Sequence, residues 1–332
     1  MPPRPRCVPA APGRRRLLQA LALGALSPLS ACAPRRPVQG TFLQLWRSHL
    51  DLTPAQWAER IAACRRLGSR EIFLQWVGLE GGRPDDWMAP DAVLGQIFDE
   101  AARHGMGVHV GLPYDQRWWN VLATPDDEAL ARYLDLTREQ GLAYMRTAPW
   151  SARRNFRGWY LPYELEQYNW ASAPRQALLW PWLDAFARAA LDNSGRAPCI
   201  STYFSRLGGS GTLEQLWRGI LDHARVHPMI QDGVGVAGLD NLKALEPLRR
   251  LLLARHAPFD LVIELFEELP SGSTDGSTFK ARSADFERVR KQWLIADSYG
   301  AQRIVAFALD PWVIGDSPEA RVLRQAWMRA RA

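Results

Sequence analysis

Lysine is nearly absent. Lys243, Lys280 and Lys291 are the only three in 332 residues, and none closes a strand-like run. A Schiff-base aldolase needs an amine at the reacting carbonyl, so that class is disfavoured. Cysteine is scarce too, at four. Cys64 falls in a predicted helix and Cys199 at the start of a predicted strand, so they read as buried thiols rather than a disulfide. Neither has an ordering partner nearby, and no catalytic thiol is indicated. No glycine-rich nucleotide turn opens the chain's α/β pattern, which argues against a doubly wound sheet. No glycine-rich phosphate cradle follows the last two strand-like runs, which weakens phosphosugar chemistry. Ser201 and Ser205 lack a nucleophile-elbow context. His223 and His227 are one helical turn apart, but no nearby carboxylate completes a site, so an exposed helix face is expected and no metal. The expectation is no cofactor.

The front of the chain is different in kind. Arg14-Arg15-Arg16 precedes the apolar stretch Leu17–Leu26, which is too short to span a bilayer. Leu29-Ser30-Ala31-Cys32 then looks like a bacterial lipobox, in which Cys32 becomes the lipidated first residue of the mature protein. Arg14-Arg15 followed by Leu17-Leu18 also resembles a twin-arginine signal. Residues 1–31 are read as an export signal, 32–39 as a tether and 40–332 as the folded part. An exported cell-envelope lipoprotein, held to a membrane through Cys32, is expected. Five arginines and no acid lie in residues 1–31, so the formal charge of +6 falls to +1 beyond them. The high pI therefore belongs to the leader and argues for no nucleic-acid partner. Oligomeric state is not legible.

Short runs rich in Val, Ile, Phe and Leu recur in the remainder, with little polar alternation, as in parallel strands covered on both faces. They lie at Thr41–Trp46, Glu71–Val77, Gly107–Leu112, Gly158–Tyr163, Cys199–Phe204, Met229–Gly233, Leu261–Leu265 and Arg303–Leu309. Helix punctuation separates them. Thr53-Pro54-Ala55-Gln56 predicts a capped helix stopped by Gly68, Thr124-Pro125-Asp126-Asp127 one that ends near Gly141, and Ser317-Pro318-Glu319 the last. Leu213–Val226, Leu239–His256 and Ser283–Tyr299 read as helices as well. Eight strand-then-helix units predict an α/β (β/α)8 TIM barrel, a single domain after the export signal. The loops at Gly208–Gly211 and Pro270–Ser277 follow the fifth and seventh strands and are candidate lids.

In such a barrel, active sites are built at the carboxyl ends of the strands. Glu164 closes the fourth run and Glu264 the seventh. Two carboxylates there are the minimum equipment for hydrolysing a glycosidic bond, one to protonate the leaving oxygen and one to attack or to activate water. Glu166, two residues on, shares the face of Glu164 if the strand continues, so it is a rival for the acid and otherwise a sugar-binding residue. Gln44, Gln75, Asp115, Tyr203 and Asp232 also terminate strands and, with Asn169, are candidates to hydrogen-bond sugar hydroxyls. Trp46, Trp76, Trp118, Trp119, Trp159, Trp170 and Trp312 lie at or just beyond strand ends, and flat amphipathic rings suit the apolar face of a pyranose. Trp180 and Trp182 read as core.

Gly40–Trp46, Gly158–Glu164, Gln231-Asp232-Gly233-Val234-Gly235 and Glu264-Leu265-Phe266 together resemble a bacterial family of glycosidase-like TIM barrels, catalogued as domain of unknown function 4434. The resemblance runs from about Gly40 to the last strand. It implies Glu164 as acid/base and Glu264 as nucleophile, with Gln44, Trp159 and Asp232 in the sugar site, although Tyr163 stands where the wider clan often has Asn. A retaining glycoside hydrolase acting on a bacterial poly- or oligosaccharide is the expected function. A polysaccharide-binding or secretion-assisting lipoprotein on the same barrel is the alternative.

Overall fold

Thr53 shows how local chemistry sets the element boundaries. Its hydroxyl accepts from the Gln56 backbone N–H at 3.3 Å, while the Gln56 side chain accepts from the Thr53 N–H at 2.8 Å, the reciprocal cap that the sequence predicts. Helix α1 (Pro54–Arg66) follows, and Gly68 ends the turn at a φ of +113° that side chains rarely adopt. The computed structural model describes residues 36–331 apart from 83, 85 and 271–278. The predicted export signal, Cys32 and nearly all of the second candidate lid lie outside the described residues.

All eight predicted strands form. They are β1 (Gly40–Leu43), β2 (Glu71–Leu74), β3 (Gly107–Gly111), β4 (Phe156–Leu165), β5 (Cys199–Thr202), β6 (His227–Gln231), β7 (Asp260–Glu264) and β8 (Arg303–Phe307). They pair in parallel in the order β1-β8-β7-β6-β5-β4-β3-β2 and close into a barrel. Helices α2 (Asp91–Arg103), α3 (Asp127–Thr147), α4 (Ala173–Ser194), α5 (Leu213–His223), α6 (Asn241–Ala254), α7 (Phe286–Asp297) and α8 (Pro318–Arg331) complete the alternation. Residues 34–332 form one compact unit. Among the described residues no helix is long and apolar enough to cross a membrane.

Two expectations fail for visible reasons. Helix α3 runs past Gly141 to Thr147. There the missing side chain lets α4 approach, since a Cβ on Gly141 would stand 2.6 Å from the Phe186 ring. His223 and His227 do not share a helix, because α5 ends at His223 and His227 opens β6. Cys64 and Cys199 are free and buried, as predicted.

The barrel interior is layered. Phe42, Phe73, Tyr160, Cys199, Met229, Val262 and Val305, drawn from seven of the eight strands, make one apolar cluster that fills the middle. Strand side chains alternate faces, so the residues two steps along each strand lie above or below this layer. Below it, at the strands' N-terminal ends, Arg303 holds Asp260 at 2.6 Å and Glu71 at 2.6 Å, and His109 meets Glu71 at 2.7 Å. His227 reaches the same Asp260 oxygen, Oδ2, at 3.1 Å. Above it, at the C-terminal ends, lie Gln75, Glu164, Tyr203, Gln231 and Glu264.

Candidate active site

Glu264 is the last residue of β7 and projects from a strand whose other residues are all buried. Its carboxylate accepts from the Gly235 backbone N–H at 2.7 Å. Gly235 must lack a side chain, because a Cβ there would stand 2.9 Å from that same carboxylate oxygen. Glu164 enters from β4, where the ladder to β5 is irregular between Leu161 and Leu165. Its carboxylate accepts from the Gln231 amide of β6 at 2.7 Å, which fixes it above the apolar layer, and it is partly open to solvent. The two carboxyl groups predicted to work together therefore rise from the same end of the barrel. They are close enough that the charge on Glu164 raises the pKa of Glu264.

Electrostatics favour at least one proton on the pair. Burial pushes the Glu264 carboxyl above the usual carboxylate range, the Asp232 charge pushes it further, and the Gly235 N–H and Arg288 pull the other way. Burial raises Glu164 as well, against the Gln231 hydrogen bond. Carboxyls in mutual Coulomb reach lose their protons in two steps, and one remains on the pair between them. Such a site holds an acid and a base at once.

Gln75 points into the same mouth from beyond β2. It is 6% exposed, and its Oε1 has no hydrogen-bond partner among the described residues. A buried acceptor left unpaired is costly. Tyr203, just past β5, lies within reach of the Glu164 and Glu166 charges. Trp46 is 46% exposed and packs edge-on against Trp76 at 5.4 Å, while the Trp76 N–H donates to the Leu45 carbonyl. Gln44 and Trp46 line one groove of about 790 Å³ beside the mouth. Asn169 and Tyr203 line another of about 1120 Å³ with Trp119.

Other candidates are placed elsewhere. Trp159 follows the inward Gly158 and precedes the inward Tyr160, so it faces out; it is 0% exposed and donates to Asn193 of α4. It is a core residue, not a sugar platform. Trp118 and Trp170 are likewise fully buried, packed at a tilt with ring centroids 5.9 Å apart. Glu166 does not share the face of Glu164, because the chain leaves the strand after Leu165. Both its oxygens accept backbone N–H groups, of Tyr168 at 2.5 Å and Asn169 at 2.8 Å, so it neither rivals Glu164 nor is free to bind sugar. The Asp115 carboxylate is clamped by Arg117 at 2.5 Å, beside a separate surface depression walled by the outer face of α3. Asp232 faces out of the barrel beneath Glu264. Its carboxylate accepts from the backbone N–H groups of Val234 and Glu264 at 3.1 and 3.2 Å and from the Gln292 amide at 2.6 Å. It positions the strand end that carries Glu264 and touches no ligand space.

A family model described as a domain of unknown function (DUF4434) matches residues 38–322. The chain belongs to that family. A curated relative, the uncharacterized protein YbcH of Escherichia coli (strain K12), is 28% identical over 209 residues, which is 60% of this chain and 66% of YbcH. Among solved structures, a candidate alpha-L-fucosidase from Bacteroides thetaiotaomicron superposes with a TM-score of 0.67 at 15% identity, covering 90% of this chain and 95% of that one. A beta-galactosidase from Marinomonas ef1 gives 0.58 at 10%, covering 88% and 59%. An endo-1,4-beta-mannanase from Rhizomucor miehei gives 0.54 at 10%, covering 89% and 95%. At such identities the likeness is one of fold, the (β/α)8 barrel of glycosidases.

Sequence reasoning missed three residues of this DUF4434 site. Gln231 holds Glu164, and Arg288 and Gln292 of α7 both donate to the Glu264 carbonyl, at 3.0 and 3.1 Å. Gln231 closes β6 and could have been read as Gln44 and Gln75 were; α7 gives no such signal, since its inner face is set by tertiary packing. The Asp232 contact also yields a prediction. Asp232→Asn removes a charge that raises Glu264, so Glu264 ionises at lower pH in the variant. Carbon-13 NMR titration of the Glu264 carboxyl, assigned by its loss in Glu264→Gln, checks this; an unmoved midpoint contradicts it.

Proposed function

We propose that this DUF4434 barrel is a retaining glycoside hydrolase, exported and tethered in the cell envelope through Cys32, that acts on a bacterial polysaccharide. The observation that carries the reading is the convergence of Glu164 and Glu264 at the C-terminal mouth, each held by one hydrogen bond that leaves a carboxyl oxygen free. The barrel enzymes that share this fold add support at the level of architecture alone.

In this reading the ionised Glu264 attacks the anomeric carbon. The bond to the leaving oxygen breaks, and that oxygen takes the proton of Glu164. A glycosyl ester on Glu264 results. Glu164, now a carboxylate, removes a proton from water as the water oxygen attacks the same carbon. The ester bond breaks, Glu264 recovers its charge and Glu164 its proton. Burial raises the Glu164 carboxyl above its ordinary range, the direction a proton donor needs. Because Glu264 is raised too, the attacking form is gained only as pH climbs past the usual carboxylate range.

The test is incubation of the purified protein with a panel of bacterial exopolysaccharides, read by product mass and by the anomer first released. Cleavage with the anomer of the substrate is expected. An inverted product removes the nucleophile role from Glu264, and an uncut panel favours the alternative, a polysaccharide-binding lipoprotein.

A further inference from the structure

The mouth has a groove on each of two opposite sides. One begins at Gln44, Trp46 and Asp310, beyond β1 and β8, and runs down the flank between α1 and α8 past Arg60, Arg66 and Arg324. The other, about 1120 Å³, is lined by Trp119, Tyr168, Asn169 and Tyr203, beyond β3, β4 and β5. Strands β1 and β5 are diametrically opposed in the ring, so the carboxylates stand between the two grooves.

The second groove has the chemistry of a sugar platform. Tyr168 is 41% exposed, Trp119 meets Tyr203 edge-to-face at 6.0 Å, and amides of Asn120 and Asn169 flank them. Aromatic faces cover the apolar side of a pyranose, and amides bond its hydroxyls. Tyr203 joins this groove to the strand end that carries Glu164, since its backbone N–H donates to the Leu165 carbonyl at 3.2 Å. Arg175 is the only cation lining it among the described residues, and it is spent on Asp127 and on the carbonyls of Leu122, Thr124 and Asn169. A polyanion finds no free positive charge there.

We infer that this groove seats an uncharged polysaccharide chain on Trp119, Tyr168 and Tyr203. The inference rests on the hydrolase reading but predicts binding that can be measured without turnover. The probe is calorimetry of the full-length Glu264→Gln protein with gluco-, manno- and N-acetylglucosamine hexasaccharides and disaccharides, and with a uronate hexasaccharide. A neutral hexasaccharide is expected to bind about tenfold more tightly than its disaccharide, and Trp119→Ala or Tyr168→Ala to remove that advantage with the melting temperature unchanged. Equal affinity for the two lengths, groove variants that bind undiminished, tighter binding of the uronate, or no neutral hexasaccharide bound overturns it. If groove variants lose binding while no protein cuts any glycan, the hydrolase reading falls and the groove stands. If glycans are cut but the variants bind undiminished, the groove falls and the hydrolase stands.

Discussion

Glu264→Gln is expected to abolish glycan cleavage and to leave the fold intact. The amide keeps an oxygen to accept the Gly235 N–H, so the loop from β6 has no reason to move. What is lost is the anionic oxygen that would bond to the anomeric carbon. Glu164→Gln removes the proton instead, which general-acid catalysis values at about 10²–10⁴-fold in kcat. That is about 3–5 kcal/mol of barrel-mouth chemistry, at 1.36 kcal/mol for each tenfold. The two variants separate on a substrate whose leaving group needs no proton. A dinitrophenyl glycoside is expected to restore the first step in Glu164→Gln and to do nothing for Glu264→Gln. Burst kinetics on that substrate, beside thermal melts of both variants, check the pair. Equal rescue of both contradicts the assignment of roles.

The second large effect is at the other end of the barrel. Arg303→Leu leaves Asp260, which is 0% exposed, without its bidentate partner, and Glu71 without its guanidinium. Removing one member of a buried pair strands the other charge, a loss of about 3–5 kcal/mol. Urea unfolding at neutral pH measures it, and adding Asp260→Asn to Arg303→Leu is expected to recover part of the loss. A change under about 1 kcal/mol contradicts the buried-charge account, being the scale of a surface pair.

The pH dependence follows from the same groups. Burial works to raise Asp260 and Glu71, but His227 and Arg303 outweigh it at Asp260, and His109 and Arg303 at Glu71, so both are held low. Their contribution is present above the unfolded carboxylate range and is lost as pH falls through their folded values. Burial also holds His109 neutral down to about pH 4 against an ordinary value of 6.5. The unfolded chain binds that proton first, so stability falls between those two pH values as well.

Much of the architecture is legible along the chain. Each strand-like run is apolar enough to mark itself, and Thr53, Ser317 and Thr212 use caps whose partners lie three residues away. Glu164 and Glu264 are legible for a related reason, because polar residues that close buried parallel strands stand on one rim. Facing is harder. The inward set needs an anchor such as Tyr160, and without one Trp159 and Asp232 looked like site residues when alternation turns both outward. Glu166 was misjudged because strand parity fails where the chain leaves the sheet. The base network is not legible at all: Glu71, His109, His227, Asp260 and Arg303 converge only once the barrel closes.

Trapping decides the central claim most directly. Incubation with an activated 2-fluoro glycoside, which slows release of the glycosyl ester, is expected to add one sugar mass to the protein. Peptide mass spectra should then place that sugar on Glu264. The same label on Glu164, or on neither residue while turnover of the parent glycoside continues, would contradict the account.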